Sequence, residues 1–97
     1  MLTSKQRAFL RGMANKTEAI ISVGKAGLTP EVTESLNTAL EAREIVKISV
    51  LNNCMMDIRE IADILHDRTH SDIVQVIGSK AVFFRQSKKK PVIELPK

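Results

Sequence analysis

Apolar positions along the chain follow two periods, and the switching between them sets the predicted elements. Near the start, Phe9, Leu10 and Met13 share one stripe at the ~100° per residue of an α-helix, with Arg7 and Arg11 on another. Thr3 or Ser4 can cap this helix, which is expected to run through about Ala14. Ala19 to Val23 is a short apolar run rich in β-branched residues, the mark of a buried strand. Gly24-Lys25-Ala26-Gly27 ends it. Thr29 then opens a second helix as N-cap, with Pro30 at the first helical position and Glu31 at the positive end of the dipole. Its capping box is incomplete, because Val32 stands three residues after Thr29. Val32, Leu36, Ala39 and Leu40 form the inward stripe of that helix, while Glu34 and Glu41 point away.

Ile45 to Leu51 returns to period two, with Val46, Ile48 and Val50 on one face and Lys47 and Ser49 on the other. Asn52-Asn53 breaks the strand. A third helix is predicted from about Cys54 to His66, with Cys54, Ile58, Ile61, Ala62 and Leu65 inward. Ile73 to Ile77 reads as a third strand, Gly78-Ser79 as a hairpin turn and Ala81 to Gln86 as the fourth. The closing SKKKPVIELPK carries Pro91 and Pro96, so extended or mobile backbone is expected there. The order α-β-α-β-α-β-β predicts a compact α/β fold: a mixed four-stranded sheet with packed helices, parallel where a helix crosses over and antiparallel at the hairpin. Periodicity does not fix the strand order.

Composition narrows the class. With 43% apolar and 27% charged residues, a chain of 97 residues can bury a core and stay in solution as a single domain with a basic tail from 88 to 97. No apolar run approaches the ~20 residues needed to span a bilayer, so no membrane role is expected. MLTSKQRAFLRG lacks the apolar segment of a secretory signal. Cys54 is the lone cysteine, which excludes an internal disulfide and reads as a small core residue. A cytoplasmic protein is the natural expectation.

The net charge of +4 is unevenly spread. Residues 1–28 carry Lys5, Arg7, Arg11, Lys16 and Lys25 against Glu18 alone. Residues 29–84 are acidic overall, and residues 85–97 carry Arg85, Lys88, Lys89, Lys90 and Lys97 against Glu94. A fold that brings both ends of the chain to one side would make that side attract polyanions.

Candidate chemistry centres on the loop. Neither the G-x-x-x-x-G-K-[ST] phosphate loop nor the three-glycine dinucleotide turn is present. G-x-x-G alone is weak, since a bare turn explains most occurrences, but here it joins a strand to a helix N-terminus that favours anions. Without side chains at Gly24 and Gly27, a sugar–phosphate backbone could approach closely, with Lys25 adding charge; KH-type modules use a G-x-x-G loop in this way. His66 and His70 have a metal-compatible spacing, yet they fall where the third helix should end and are better read as surface histidines. No nucleophile setting occurs, and Asp63 and Asp67 fit a solvated face; no enzyme, cofactor or small-molecule substrate is expected. Trp and Tyr are absent, and Phe9 and Phe84 are expected in the core. Phe83 and Arg85 alternate onto the other strand face as one stacking surface, too little for an RRM. Contacts should therefore go mainly to phosphate and sugar. No recognition helix for DNA stands out. The rival reading is a protein-interaction module, with nucleic-acid contact incidental.

LTSKQRAFLRGMAN, VGKAGLTPEV, ALEAREIVKISV, IVQVIGSKAVFFR and the final basic segment closing in ELP together resemble the bacterial YhbY family, the stand-alone form of the CRM RNA-binding domain. Ala42-Arg43 departs from the histidine or other polar pair common in that family. The resemblance implies a fold like the C-terminal domain of bacterial translation initiation factor three. It also implies association with precursors of the large ribosomal subunit, hence ribosomal RNA as ligand; plant relatives carry the domain in intron-splicing factors. Under the resemblance, the rival reading becomes a protein-interaction module that binds ribosomal proteins, with RNA contact incidental. It makes Gly24, Lys25, Ala26 and Gly27 the RNA-contacting motif, and supplies no catalytic residue. Arg7, Arg11 and Lys16 would extend the positive surface, joined by Arg85, Lys88, Lys89 and Lys90 if the tail folds back.

Overall fold

The computed structural model of the chain describes residues 2–97. The elements follow the expected order: α1 (Ser4–Ala14), β1 (Ala19–Val23), α2 (Pro30–Arg43), β2 (Ile45–Val50), α3 (Ile58–Thr69), β3 (Asp72–Ile77) and β4 (Lys80–Phe84). Helix α1 starts on a complete capping box: the Gln6 N–H donates to Thr3 Oγ1 at 3.1 Å, and the Thr3 N–H to Gln6 Oε1 at 3.0 Å. Two N–H groups that a helix start leaves exposed are satisfied at once.

The four strands lie in the order β1-β2-β4-β3. Strands β1 and β2 are parallel neighbours joined through α2. Helix α3 instead carries the chain past the place of β4 to the far edge, and the hairpin brings β4 back between β2 and β3, antiparallel to both. Nothing local in the sequence marks that insertion.

Each face of the sheet has its own apolar cluster. Leu36, Leu40, Ile61 and Leu65 of α2 and α3 pack on Val23, Val46, Ile48, Ala81 and Phe83. On the other face Leu10 and Ala14 of α1 pack on Ile45, Val74, Val82 and Phe84, with Ile93 and Leu95 of the tail alongside. Coverage on both faces corrects the reading of the aromatics. Phe83 is fully buried, so it offers no stacking surface; Phe84 is buried as expected; Phe9, expected inside, is 43% exposed.

Three boundaries differ by two residues or more. Helix α3 starts at Ile58 rather than Cys54, because the chain first turns at Leu51–Cys54, where the Cys54 N–H donates to Leu51 O at 3.0 Å. It runs to Thr69, and His70 ends it in the left-handed conformation (φ 54°). Strand β4 stops at Phe84.

The tail is extended and held. Glu44, the residue between α2 and β2, is fully buried, and its carboxylate accepts N–H groups from Ser87, Val92 and Ile93 at 2.7, 2.7 and 2.6 Å. Farther on, Gln6 Nε2 donates to Pro96 O at 3.1 Å and Lys5 Nζ to Lys97 O at 3.3 Å, strapping the chain end to α1.

Candidate nucleic-acid interface

Parallel strands β1 and β2 end side by side, and the G-x-x-G turn grows from the end of β1. The Gly27 N–H donates to Gly24 O at 2.9 Å, which closes a four-residue turn with Lys25 and Ala26 exposed at its corner. Gly27 holds φ +71°, a region that L side chains avoid, and a Cβ there would lie 3.3 Å from Met56 Sδ. Gly24 is different. Its φ is not positive, and a Cβ would make ordinary 3.6 Å contacts with Asn53 Oδ1 and Leu51 Cδ1. The fold therefore demands glycine at Gly27 and tolerates a methyl at Gly24.

The start of α2 contributes less than the sequence suggests. Pro30 has no N–H, and Thr29 accepts from Val32 and Thr33, so most first-turn donors serve the helix's own cap. Glu31 adds a carboxylate in the same turn. An anion would meet the exposed main chain of Lys25 and Ala26 first.

Beside the turn runs the β2–α3 connection, tied to it by the Leu51 N–H donating to Val23 O at 2.8 Å. It presents Met55, 94% exposed, and Leu51, 45% exposed. Sequence reasoning passed over both, having assigned Met55 to a helix. Asp57 before α3, next to an apolar run and three residues ahead of Glu60, was the signal that the helix begins later. Residues 51–56 contain no carboxylate.

The other expected cations divide into groups. Arg11 is exposed on α1, and Lys16 is exposed in the turn after it, three residues before β1 begins. Arg7 is half-buried and its guanidinium donates to Ile73 O at the start of β3. Arg85 is held within the fold: Nη1 donates to Asn37 Oδ1 at 2.5 Å and Thr69 O at 2.7 Å, Nη2 donates to Asn37 O at 3.0 Å, and Glu41 lies 3.9 Å away. Its side chain is 18% exposed.

Lys88, Lys89 and Lys90 are exposed, but their backbone is anchored at the far end of α2. Ser87 Oγ and the N–H groups of Lys88 and Lys89 donate to Glu41 Oε2 at 2.5, 3.0 and 3.4 Å. Those anchors sit at the Ile45 end of β2, whereas the turn sits at the Val50 end; at ~3.3 Å per residue the two ends lie roughly 16 Å apart. The tail does fold back, yet onto the opposite end of the sheet from the G-x-x-G turn.

Both anchoring carboxyls are held below the ordinary value of 4.5. Burial pushes Glu44 up, but the N–H groups of Ile93, Ser87 and Val92 together outweigh it. At Glu41 the Ser87 hydroxyl lowers the value most, against a desolvation that raises it. The histidines serve the end of α3, where His66 Nδ1 contacts Ser71 O and His70 supplies the C-cap. Among the described residues, no helix is long and apolar enough to cross a membrane.

Comparison with known proteins follows the same lines. The CRS1 / YhbY (CRM) domain matches residues 2–85. A Bacillus subtilis (strain 168) protein named "Probable RNA-binding protein YqeI" is 43% identical over 99% of this chain and 100% of its own. A Haemophilus influenzae protein named "RNA-binding protein" is 30% identical over 99% of this chain and 96% of its own. The solution structure of the hypothetical protein SAV1595 from Staphylococcus aureus superposes with a TM-score of 0.82 at 42% identity, covering 99% of this chain and 100% of that one.

Proposed function

The chain belongs to the CRS1/YhbY (CRM) domain family, and from that premise we propose that it is a non-enzymatic RNA-binding protein of the cytoplasm, acting as one domain. Its ligand is ribosomal RNA of large-subunit precursors, and its role is in their assembly. The observation that carries this reading is the exposed Lys25-Ala26 corner, where a turn of main chain and one ammonium stand together at the surface. The names of the B. subtilis and H. influenzae relatives support the ligand class.

In this mechanism a phosphate settles on the Lys25 and Ala26 N–H groups and pairs with the Lys25 ammonium. Gly27 keeps the turn in shape, and Gly24 leaves room for a sugar to approach. Arg11 and Lys16 give a second positive region, and Lys88, Lys89 and Lys90 a third, so a folded transcript is held at separated points rather than in one groove. Carboxylates on the outer sides of α2 and α3, such as Glu34 and Asp63, repel RNA from those faces.

Crosslinking in growing cells, followed by sequencing of the attached RNA, tests the ligand. Reads concentrated in large-subunit ribosomal RNA are expected. A protein partner that persists after nuclease treatment, with no RNA enrichment, favours the protein-interaction reading instead.

A further inference from the structure

Helix α1 covers only part of its face of the sheet. Its cluster takes in Ile45, Val74 and Phe84 toward one end of the strands and reaches as far as Val82 at the middle of β4. Toward the other end the same face is uncovered. Register places Ser22 beside Ser49, Ser49 beside Lys80, and Lys80 beside Ile77, a single row across all four strands. Ser22, Lys80 and Ile77 are exposed and Ser49 is half-buried. One row behind it, at the margin of the α1 cluster, half-buried Lys47 pairs with Val82 on the same face. Neither row contains a carboxylate.

The position of this surface is as telling as its chemistry. Ser22 lies two residues before Gly24, so the row runs directly behind the G-x-x-G turn. The Val50 N–H donates to Ser79 O at 2.7 Å, which ties the β3–β4 hairpin to the same end. Three strand spacings of ~4.8 Å make the row about 14 Å wide. Two ammoniums, two hydroxyls and a flanking isoleucine on each edge strand, with Ile20 46% exposed and Ile77 61%, make a cationic platform with apolar margins.

We infer that this open half of the sheet is a second RNA-contact surface, which receives a single-stranded segment continuing from the turn. The inference rests on the RNA-binding reading above. Lys47 and Lys80 pair with successive phosphates, Ser22 and Ser49 donate to phosphate or ribose oxygens, and Ile20 and Ile77 lie against bases. Aromatic side chains are absent from the platform, so it selects for an unpaired backbone more than for sequence.

The test uses the full chain, poly(U) as single strand and a fully paired RNA duplex as control. Lys47→Gln/Lys80→Gln should weaken poly(U) binding about tenfold at low salt and flatten its salt slope by about 1.4, at ~0.7 per single-strand phosphate contact. Chemical acetylation of the wild-type protein, which needs no variant to fold, should show Lys47 and Lys80 protected by poly(U). Unchanged poly(U) affinity in the double variant, with Lys47 and Lys80 still reactive while Lys25→Glu loses binding, overturns the platform and leaves the RNA-binding reading standing. Wild-type protein that binds neither RNA overturns both. Protection in a lysate that survives nuclease overturns it in favour of a protein occupant.

Discussion

Glu44 Oε1 accepts the Ile93 N–H at 2.6 Å across a sequence separation of 49 residues. The acceptor is a fully buried carboxylate on a residue with φ 67° and ψ −36°, a sparsely populated conformation that costs a non-glycine residue about 1–3 kcal/mol. Glycine would remove that cost but also the carboxylate. Three backbone N–H groups of the tail end on it, which accounts for a charge in an otherwise apolar setting.

Replacing that carboxylate should release the tail before it unfolds the sheet. Glu44→Ala is expected to cost about 3 kcal/mol, since it strands several donors at once. Amide hydrogen exchange is the measurement: Ser87, Val92 and Ile93 should exchange faster, while β2 and β4 stay protected.

Acid should act through the same contacts. The folded-state values of Glu41 and Glu44 lie below 4.5, so the stability they add is fully present above that pH and is lost as pH falls through the lowered values. Thermal melts should be flat in this respect from neutral pH down to about 4.5 and decline below it. Glu44→Gln should remove much of that decline.

The two glycines of the turn should separate fold from binding. Gly27→Ala meets both the positive φ and Met56, and is expected to destabilise by about 1–2 kcal/mol. Gly24→Ala should melt like wild type, yet bind RNA less well, because the ligand approaches that backbone. Paired melting and binding curves check this.

The tail's charge and its anchoring should likewise come apart. Lys88→Ala/Lys89→Ala/Lys90→Ala should keep the melting temperature, because only the backbone of that segment is gripped. Deleting residues 91–97 removes Ile93 and Leu95 from the α1 cluster and should lower it by several degrees.

Much of this architecture was legible in the sequence, for local reasons. β1, α2 and β2 follow from β-branched runs, the Thr29-Pro30 start and clean alternation, all local signals. What could not be read depends on distant partners. Glu44 looks like an ordinary polar residue ahead of a strand until Ser87 and Ile93 meet it. Arg85 looks like a free cation until Asn37 and Thr69 occupy it. Phe83 looks open because alternation says nothing of how many faces a sheet has covered. At the turn, sequence located the corner correctly but treated Gly24 and Gly27 alike, and backbone angle separates them. Lys47 was visible as a polar strand position, while Lys80 fell just outside the expected fourth strand; only the insertion of β4 beside β2 sets them on neighbouring strands.

The most direct test of the central claim is a salt titration of ribosomal RNA binding by wild type and Lys25→Glu. Affinity should fall linearly on a log–log scale as salt rises, with the variant binding more weakly and its slope reduced by about one, at unchanged melting temperature. Binding that ignores salt, or a variant indistinguishable from wild type, would contradict the account.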